Sequence, residues 1–537
     1  MGRQLDFVVI ADHSDGMGFF DMFAAGDPMM MEKEEGRRWN KAINEGGQAS
    51  VDAALEIITT FSQGEMPWKT NDPDLMKPVW HQTIEAAEKF NEPGKFTAFI
   101  GYEWTSLLKG NNLHRVVIYK DGGSSARQTL PFTLEDSADP ERLWDAMQAY
   151  EEKTGGDLLA IPHNGNLANG IMFDVETLSG KPIDKDYASR RQQWEPLYES
   201  TQIKGDGEAH PFLSPDDEFA DYETWDLGNL DMSASKTDDM LAGEYARSGL
   251  KRGLEFEQKL GVNPYKFGQI GSTDSHTSLP AVEENNFFGK HSGVEPSPER
   301  ASHVVIGGEN GKIMGHQMAS SGYAAVWAKE NTRQSIFDAM ARKETYATTG
   351  SRMAVRFFGG WDFSEADANS RQPAEAGYSR GVPMGGNLSQ APDGKSPTFL
   401  VAAMKDAMSG NLDRIQIIKG WVGKDGKAQE RVYDVAVSDD RKIDKNGRCK
   451  TPVGNTVDVA NATWTNTIGD PELISVWTDP DFDAKQNAFY YVRVLEIPTP
   501  RWTAYEAKRF NIKMPKDTEM VTQERAYTSP IWYTPKS

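Results

Sequence analysis

Apolar residues in the first two-thirds of the chain follow two alternating patterns. One is the short continuous run that suits a buried strand: "DFVVIA" (6–11), "KFTAFIGYEW" (95–104), "HRVVIYK" (114–120), "DLLAIPHNGN" (157–166) and "KFGQIGSTDSHT" (266–277). The other has helical spacing, over 50–61, 74–90, 140–155, 238–261 and 332–348, the last running toward a further strand. Pro140 suits the first turn of its helix. Strand and helix in alternation predict an α/β unit with a parallel sheet, open or closed into a barrel. Catalytic groups in such folds gather at the carboxyl ends of the strands.

The pattern changes near residue 350. "GGWDFSEADANSRQPAEAGYSRGVPMGGNLSQAPDGKSP" (359–396) is rich in Gly, Pro, Ser and Asp, as linkers and long loops are. Beyond it come short β-branched and aromatic runs such as "DRIQIIKGWV", "RVYDVAVS" and "FYYVRVLEI", without strong helical period. The predicted organisation is an α/β unit over 1–350, a linker over 351–395 and a small all-β, sandwich-like domain over 396–537.

Composition narrows the function classes. The 537 residues carry a net charge of -22 with no offsetting Lys/Arg run, which argues against a nucleic-acid partner. No stretch approaches the roughly 18 apolar residues of a membrane span. The first residues lack the apolar core of an export signal, so the chain read literally stays in the cytoplasm. Cys449 stands alone, so no intrachain disulfide forms. A small anionic substrate remains compatible, because a bound metal reverses the local sign.

Of nine histidines, His13, His114, His163 and His276 sit where a predicted strand begins, ends or turns. Glu103 and Asp274 are carboxylates at two strand ends. Imidazoles and carboxylates converging at one end of a parallel sheet suit zinc, manganese or iron. Each alone has a plainer explanation: Glu103 as a strand-end acid, Asp274 as a helix cap. Six such residues on five strand edges together point to a metal site. The polar loop "KGDGEAHPFLSPDDEF" (204–219) is either a solvated surface loop or an active-site loop carrying Lys204, Glu208 or His210. No nucleophile elbow, phosphate-binding loop or His-Glu-x-x-His motif competes.

"DFVVIADHSDG", "FIGYEWT", "NNLHRVVIY", "IPHNGN", "GSTDSHT" and "ETYATTG", with "TPVGNTVDVANATWTNTIGDPEL" and "FYYVRVLEIPTPRWTAY", resemble the DUF3604 family across nearly the whole chain. That family is similar to the PHP superfamily, named for polymerase and histidinol phosphatase domains. The resemblance implies a distorted seven-stranded (β/α) barrel with two or three divalent metal ions (Zn, Mn or Fe), hydrolysing phosphate esters. It implies that Glu103 bridges metals, that His114 and His163 share one with it, that Asp274 serves the first metal, and that His13 and His276 share another. The family's opening His-x-His is absent from this sequence. The expectation is therefore a barrel that lacks its first strand, from a shortened reading frame or a reduced variant, whereas full-length relatives usually carry an export signal.

The implied chemistry is attack on phosphorus by a metal-bridging hydroxide, with Arg115 as a candidate clamp on a non-bridging oxygen. Strand alternation points Arg115 away from His114, which leaves an ion pair as its other reading. Other metallohydrolase activities, on amides, lactones or carboxylic esters, use the same chemistry. A non-catalytic binding protein remains the alternative from a different class.

Overall fold

The computed structural model describes residues 3–291, 295–370 and 372–536. In its first part the strands are β1 (Phe7–Ile10), β2 (Thr97–Trp104), β3 (Arg115–Tyr119), β4 (Leu158–Pro162), β5 (Leu197–Gln202) and β6 (Gly268–Gly271). The helices that follow the predicted periodicity are α1 (Gly47–Ser62), α2 (Pro73–Phe90), α3 (Pro140–Thr154), α4 (Ala246–Leu260) and α5 (Arg333–Ala341). Asp72 and Asp139 cap α2 and α3 through their carboxylates, each followed by proline in the first turn. The helix expected over 238–261 is broken at residues 242–245, where the Gly243 carbonyl accepts from Phe173 N at 2.8 Å instead of continuing a helix.

β1, β2, β3 and β4 form one sheet in that order, and β5 pairs in parallel with β6 in another. β1 runs parallel to β2, but β3 runs antiparallel to both β2 and β4. The all-parallel expectation fails here for a physical reason. Residues 105–114 join β2 to β3 through a tight ribbon of Leu107–Leu108 on Asn111–Asn112. A parallel return needs a crossover of a dozen or more residues. The reversal places the start of β3 beside the ends of β2 and β4.

The sheets do not close on themselves among the described residues. β4 lies alongside β5 without a hydrogen-bonded ladder, and β1 pairs along one edge only. A closed seven-stranded barrel is thus not observed; the fold is mixed α/β with several open sheets.

The later strands are β7 (Tyr323–Val326), β8 (Thr345–Thr348), β9 (Ala354–Gly360), β10 (Gly381–Pro383), β11 (Thr398–Met404), β12 (Leu412–Val422), β13 (Ala428–Val437), β14 (Glu472–Thr478), β15 (Ala488–Glu496), β16 (Arg525–Thr528) and β17 (Ile531–Tyr533). One sheet has the order β7-β8-β16-β15-β12-β13, with β17 also on β15. A second has the order β10-β9-β11-β14. Val355, Phe357, Phe399 and Val401 pack between them against Ile415, Ile417, Tyr490 and Val492, as in a sandwich. The segment expected as a linker contributes β9 and β10, because the apolar start of β9 outweighs the Gly- and Pro-rich stretch that follows. β7 and β8 join this sheet from before residue 350, so hydrogen bonds cross the expected boundary. Its other face packs against α4, where Leu250 and Leu254 share a core with Ile418, Phe489 and Tyr491. No described helix is long and apolar enough to cross a membrane.

Candidate metal centre

The parallel run of β1 beside β2 carries the chain on to His13, which bridges Glu103 at the end of β2. Ser14 N donates to the Glu103 carbonyl and Glu103 N to the Asp12 carbonyl, both at 2.8 Å, which locks the two segments in register. Glu103 pairs across the sheet with Val116, so His114, two residues earlier and directly before β3, projects from the same face. His163 follows β4 at the same end. Asn164 after it adopts a left-handed backbone at φ 50°, a conformation asparagine tolerates. Gly165 then passes so close to the Glu244 carbonyl that a Cβ would sit 2.3 Å from it.

Glu103 Oε1 lies 2.8 Å from His114 Nδ1 and 2.9 Å from His163 Nε2, and Oε2 lies 3.4 Å from His13 Nδ1. His13, Glu103 and His114 offer ligand atoms all within 4.8 Å of one another, a spacing one ion can span. His163 joins this group through Glu103 Oε1. Glu103, His114 and His163 are buried, whereas the His13 and His276 side chains keep 37% exposure toward a cavity of about 1140 Å³.

The charge states suit a cation. Burial works against the Glu103 carboxylate, but His13, His163 and His114 outweigh it and hold its pKa well below the usual range. Burial, against the pull of Glu103, pushes His114 down to about 3 and His13 downward as well. A deprotonated carboxylate ringed by neutral imidazoles is what binding to a divalent ion requires. The nitrogen and oxygen donors fit zinc, manganese or iron.

Asp274 and His276 follow β6 and reach the same cavity, but their company differs. Asp274, left-handed at φ 49°, accepts at Oδ2 from Gln202 Nε2 at 2.7 Å, from Lys290 Nζ at 3.0 Å and from Lys204 Nζ. Lys290 Nζ also reaches the Asp274 carbonyl at 2.8 Å and His276 Nδ1 at 3.0 Å. His276 Nε2 lies 3.3 Å from His13 Nε2. Burial, with the charge of Lys290, holds His276 and Lys204 well below their ordinary pKa ranges, and burial brings Lys290 to about 7.

Two candidates lie elsewhere. Arg115, on the opposite face of β3, donates from Nε to Glu195 Oε1 at 3.0 Å and stacks on Trp104, fully buried. It cannot clamp a substrate at the cavity. His210 accepts at Nδ1 from Phe212 N at 3.1 Å and faces Asp226 with Nε2 at 3.3 Å, outside the cavity wall. The 204–219 loop thus sends Lys204 to the cavity, while Glu208 turns to Arg247 and Tyr491.

Glu199, Lys290 and Gln202 are neighbours that no motif in the sequence marks. Glu199 lies on β5, buried at the cavity wall, with Oε1 free of any hydrogen-bond partner. Burial raises its pKa, partly offset by His163. Its signal was a lone acid inside the buried run "LYESTQ", next to a loop already under suspicion.

No curated protein and no solved structure matches the chain. One family model, described as a protein of unknown function (DUF3604), matches residues 1–535. By that match across almost its whole length, the chain belongs to the DUF3604 family.

Proposed function

We propose that this protein is a metal-dependent hydrolase of phosphate esters, with a PHP-like arrangement of strands around its site. The observation that carries the reading is Glu103 Oε1 set between His114 Nδ1 and His163 Nε2, with His13 at the other carboxylate oxygen. Glu103, His114, His163 and His13 are the residues that would hold the ion. A bound divalent ion supplies a hydroxide near neutral pH and offsets charge gained by substrate oxygens. The chain's own groups do the rest.

Thr105 Oγ1, 2.7 Å from His13 Nδ1, fixes the ring of His13. Glu199 Oε1, unpartnered at the cavity wall, is the atom from which a leaving oxygen would take its proton. The β1, β3 and β4 side chains Val9, Ile118 and Ile161 give part of the cavity an apolar wall, which limits water around the reacting atoms.

The test is a panel of p-nitrophenyl phosphate, bis-p-nitrophenyl phosphate and p-nitrophenyl acetate with Mn²⁺ or Zn²⁺ added. Turnover of a phosphate ester that disappears in His163→Ala is the expected result. Turnover of the acetate alone would overturn the phosphatase reading in favour of another metallohydrolase.

A further inference from the structure

The resemblance assigns two or three ions to the site, one of them on Asp274. The surroundings of Asp274 do not fit that role. Its Oδ2 is already the acceptor for Gln202, Lys290 and Lys204, and Lys290 also holds its carbonyl. Two lysine Nζ atoms stand against Oδ2 where a cation would have to sit, and they leave it no place there. His276 Nδ1 lies 3.0 Å from Lys290 Nζ and 3.1 Å from the Asp274 carbonyl, so the same lysine stands beside this ring as well.

We infer that this chain holds its ion on the Glu103 cluster alone, and that Lys204 and Lys290 occupy the place of a further ion at Asp274, forming the pocket for the anionic oxygens of the substrate. This rests on the hydrolase reading above. Both lysines are buried and line the same cavity as His13, Glu103 and His163. The two Nζ atoms face one carboxylate and the cavity, so an anionic oxygen entering there meets both and favours their protonated forms. A phosphate monoester, with two charges on its non-bridging oxygens, matches an ion on one side and two lysines on the other. A neutral carboxylic ester leaves the lysines without a ligand.

Two measurements test this on the full chain. After loading with Mn²⁺ or Zn²⁺ and desalting, elemental analysis should give about one metal per chain. Asp274→Asn should leave that content unchanged, and Glu103→Gln should abolish it. Calorimetric titration with inorganic phosphate should show binding weakened about tenfold or more in Lys290→Gln and Lys204→Gln, with metal content and melting temperature kept and Lys290→Arg retaining part of the affinity. Two metals per chain, one of them lost in Asp274→Asn, would overturn the inference. So would unchanged phosphate affinity in both lysine variants. Should wild type hold no metal, the hydrolase reading and the one-ion assignment fail together. Phosphate titration of the chelator-treated chain then still decides whether the lysine pair binds anions.

Discussion

Arg493 Nη2 on β15 donates to Asp217 Oδ1 at 2.6 Å, across the join between the sandwich and the loop that begins at Lys204. The same guanidinium reaches Glu208 Oε2 at 3.3 Å and Gln416 Oε1, and Arg247 braces Glu208 and Asp217 from α4. Four charges are thus buried together, and each depends on the others. Removing one partner of such a group leaves uncompensated charge in a dry interior. Arg493→Ala should lower unfolding free energy by about 3–5 kcal/mol in denaturant titration. A loss below about 1 kcal/mol would mean that water reaches the network.

Arg115 and Glu103 sit on adjacent strands but face opposite sides, so their substitution should separate stability from metal binding. Glu103→Gln keeps the shape and removes the charge that gathers three imidazoles. It should reduce retained Mn²⁺ or Zn²⁺ to background, with little change in the far-ultraviolet circular dichroism. Arg115→Ala should do the reverse. It strips Glu195 of one of its two arginine partners and should cost about 3 kcal/mol, with metal content intact. His210→Ala should change neither metal content nor turnover, because His210 lies outside the cavity wall.

Glu199 separates proton delivery from binding. Its Oε1 has no partner to lose, so Glu199→Gln should leave metal content and melting temperature close to wild type. If Glu199 protonates the leaving oxygen, kcat for p-nitrophenyl phosphate should fall about tenfold to a hundredfold with KM nearly unchanged. The loss should grow with poorer leaving groups. An equal loss for all leaving groups would assign Glu199 to positioning instead.

Strand and helix positions in the first part were legible because apolar runs and periodic faces are local properties. The direction of β3 was not, since it depends on how little chain joins Thr105 to His114. Glu103, His13, His114 and His163 were legible as strand-end ligands. Lys290 was not, because no strand pattern or motif marks it in the sequence and it reaches Asp274 only through the fold. Arg115 shows the converse: one step along a strand from a site residue means the opposite face of the sheet. β9 was hidden by composition, because its apolar residues run directly into the glycines and prolines that follow.

The half-exposed residues of β1 carry a separate consequence. Phe7, Val8 and Val9 are half-buried, Ile10 is 48% exposed, and one edge of the strand has no ladder among the described residues. An apolar unpaired edge is a template for pairing with another chain. Ile10→Lys should lower concentration-dependent light scattering at an unchanged melting temperature. Scattering equal to wild type would show that the edge is not where copies of this chain meet.

Glu496 on β15 gives the stability a pH dependence whose sign can be worked out. Burial, with help from Asp406, raises its carboxyl from the ordinary 4.5 to about 7, although Ser351 and Ser409 donate to it. Below about 4.5 both the folded and the unfolded chain hold the proton. Between about 4.5 and 7 the folded chain still binds it and the unfolded chain has released it, so the folded state loses ground as pH rises. Above about 7 both have released it and the loss stops growing, at an upper bound on the order of 3 kcal/mol. Groups held low, such as Glu103, act in the opposite direction at lower pH, so the informative quantity is a difference between variants. Glu496→Gln has no proton to lose; its amide oxygen still accepts from one serine hydroxyl and its amide nitrogen donates to the other. Its melting temperature relative to wild type should rise steadily from pH 5 to pH 7.5 and then level off. A flat difference across that range would show that Glu496 ionises in the folded chain as it does in water.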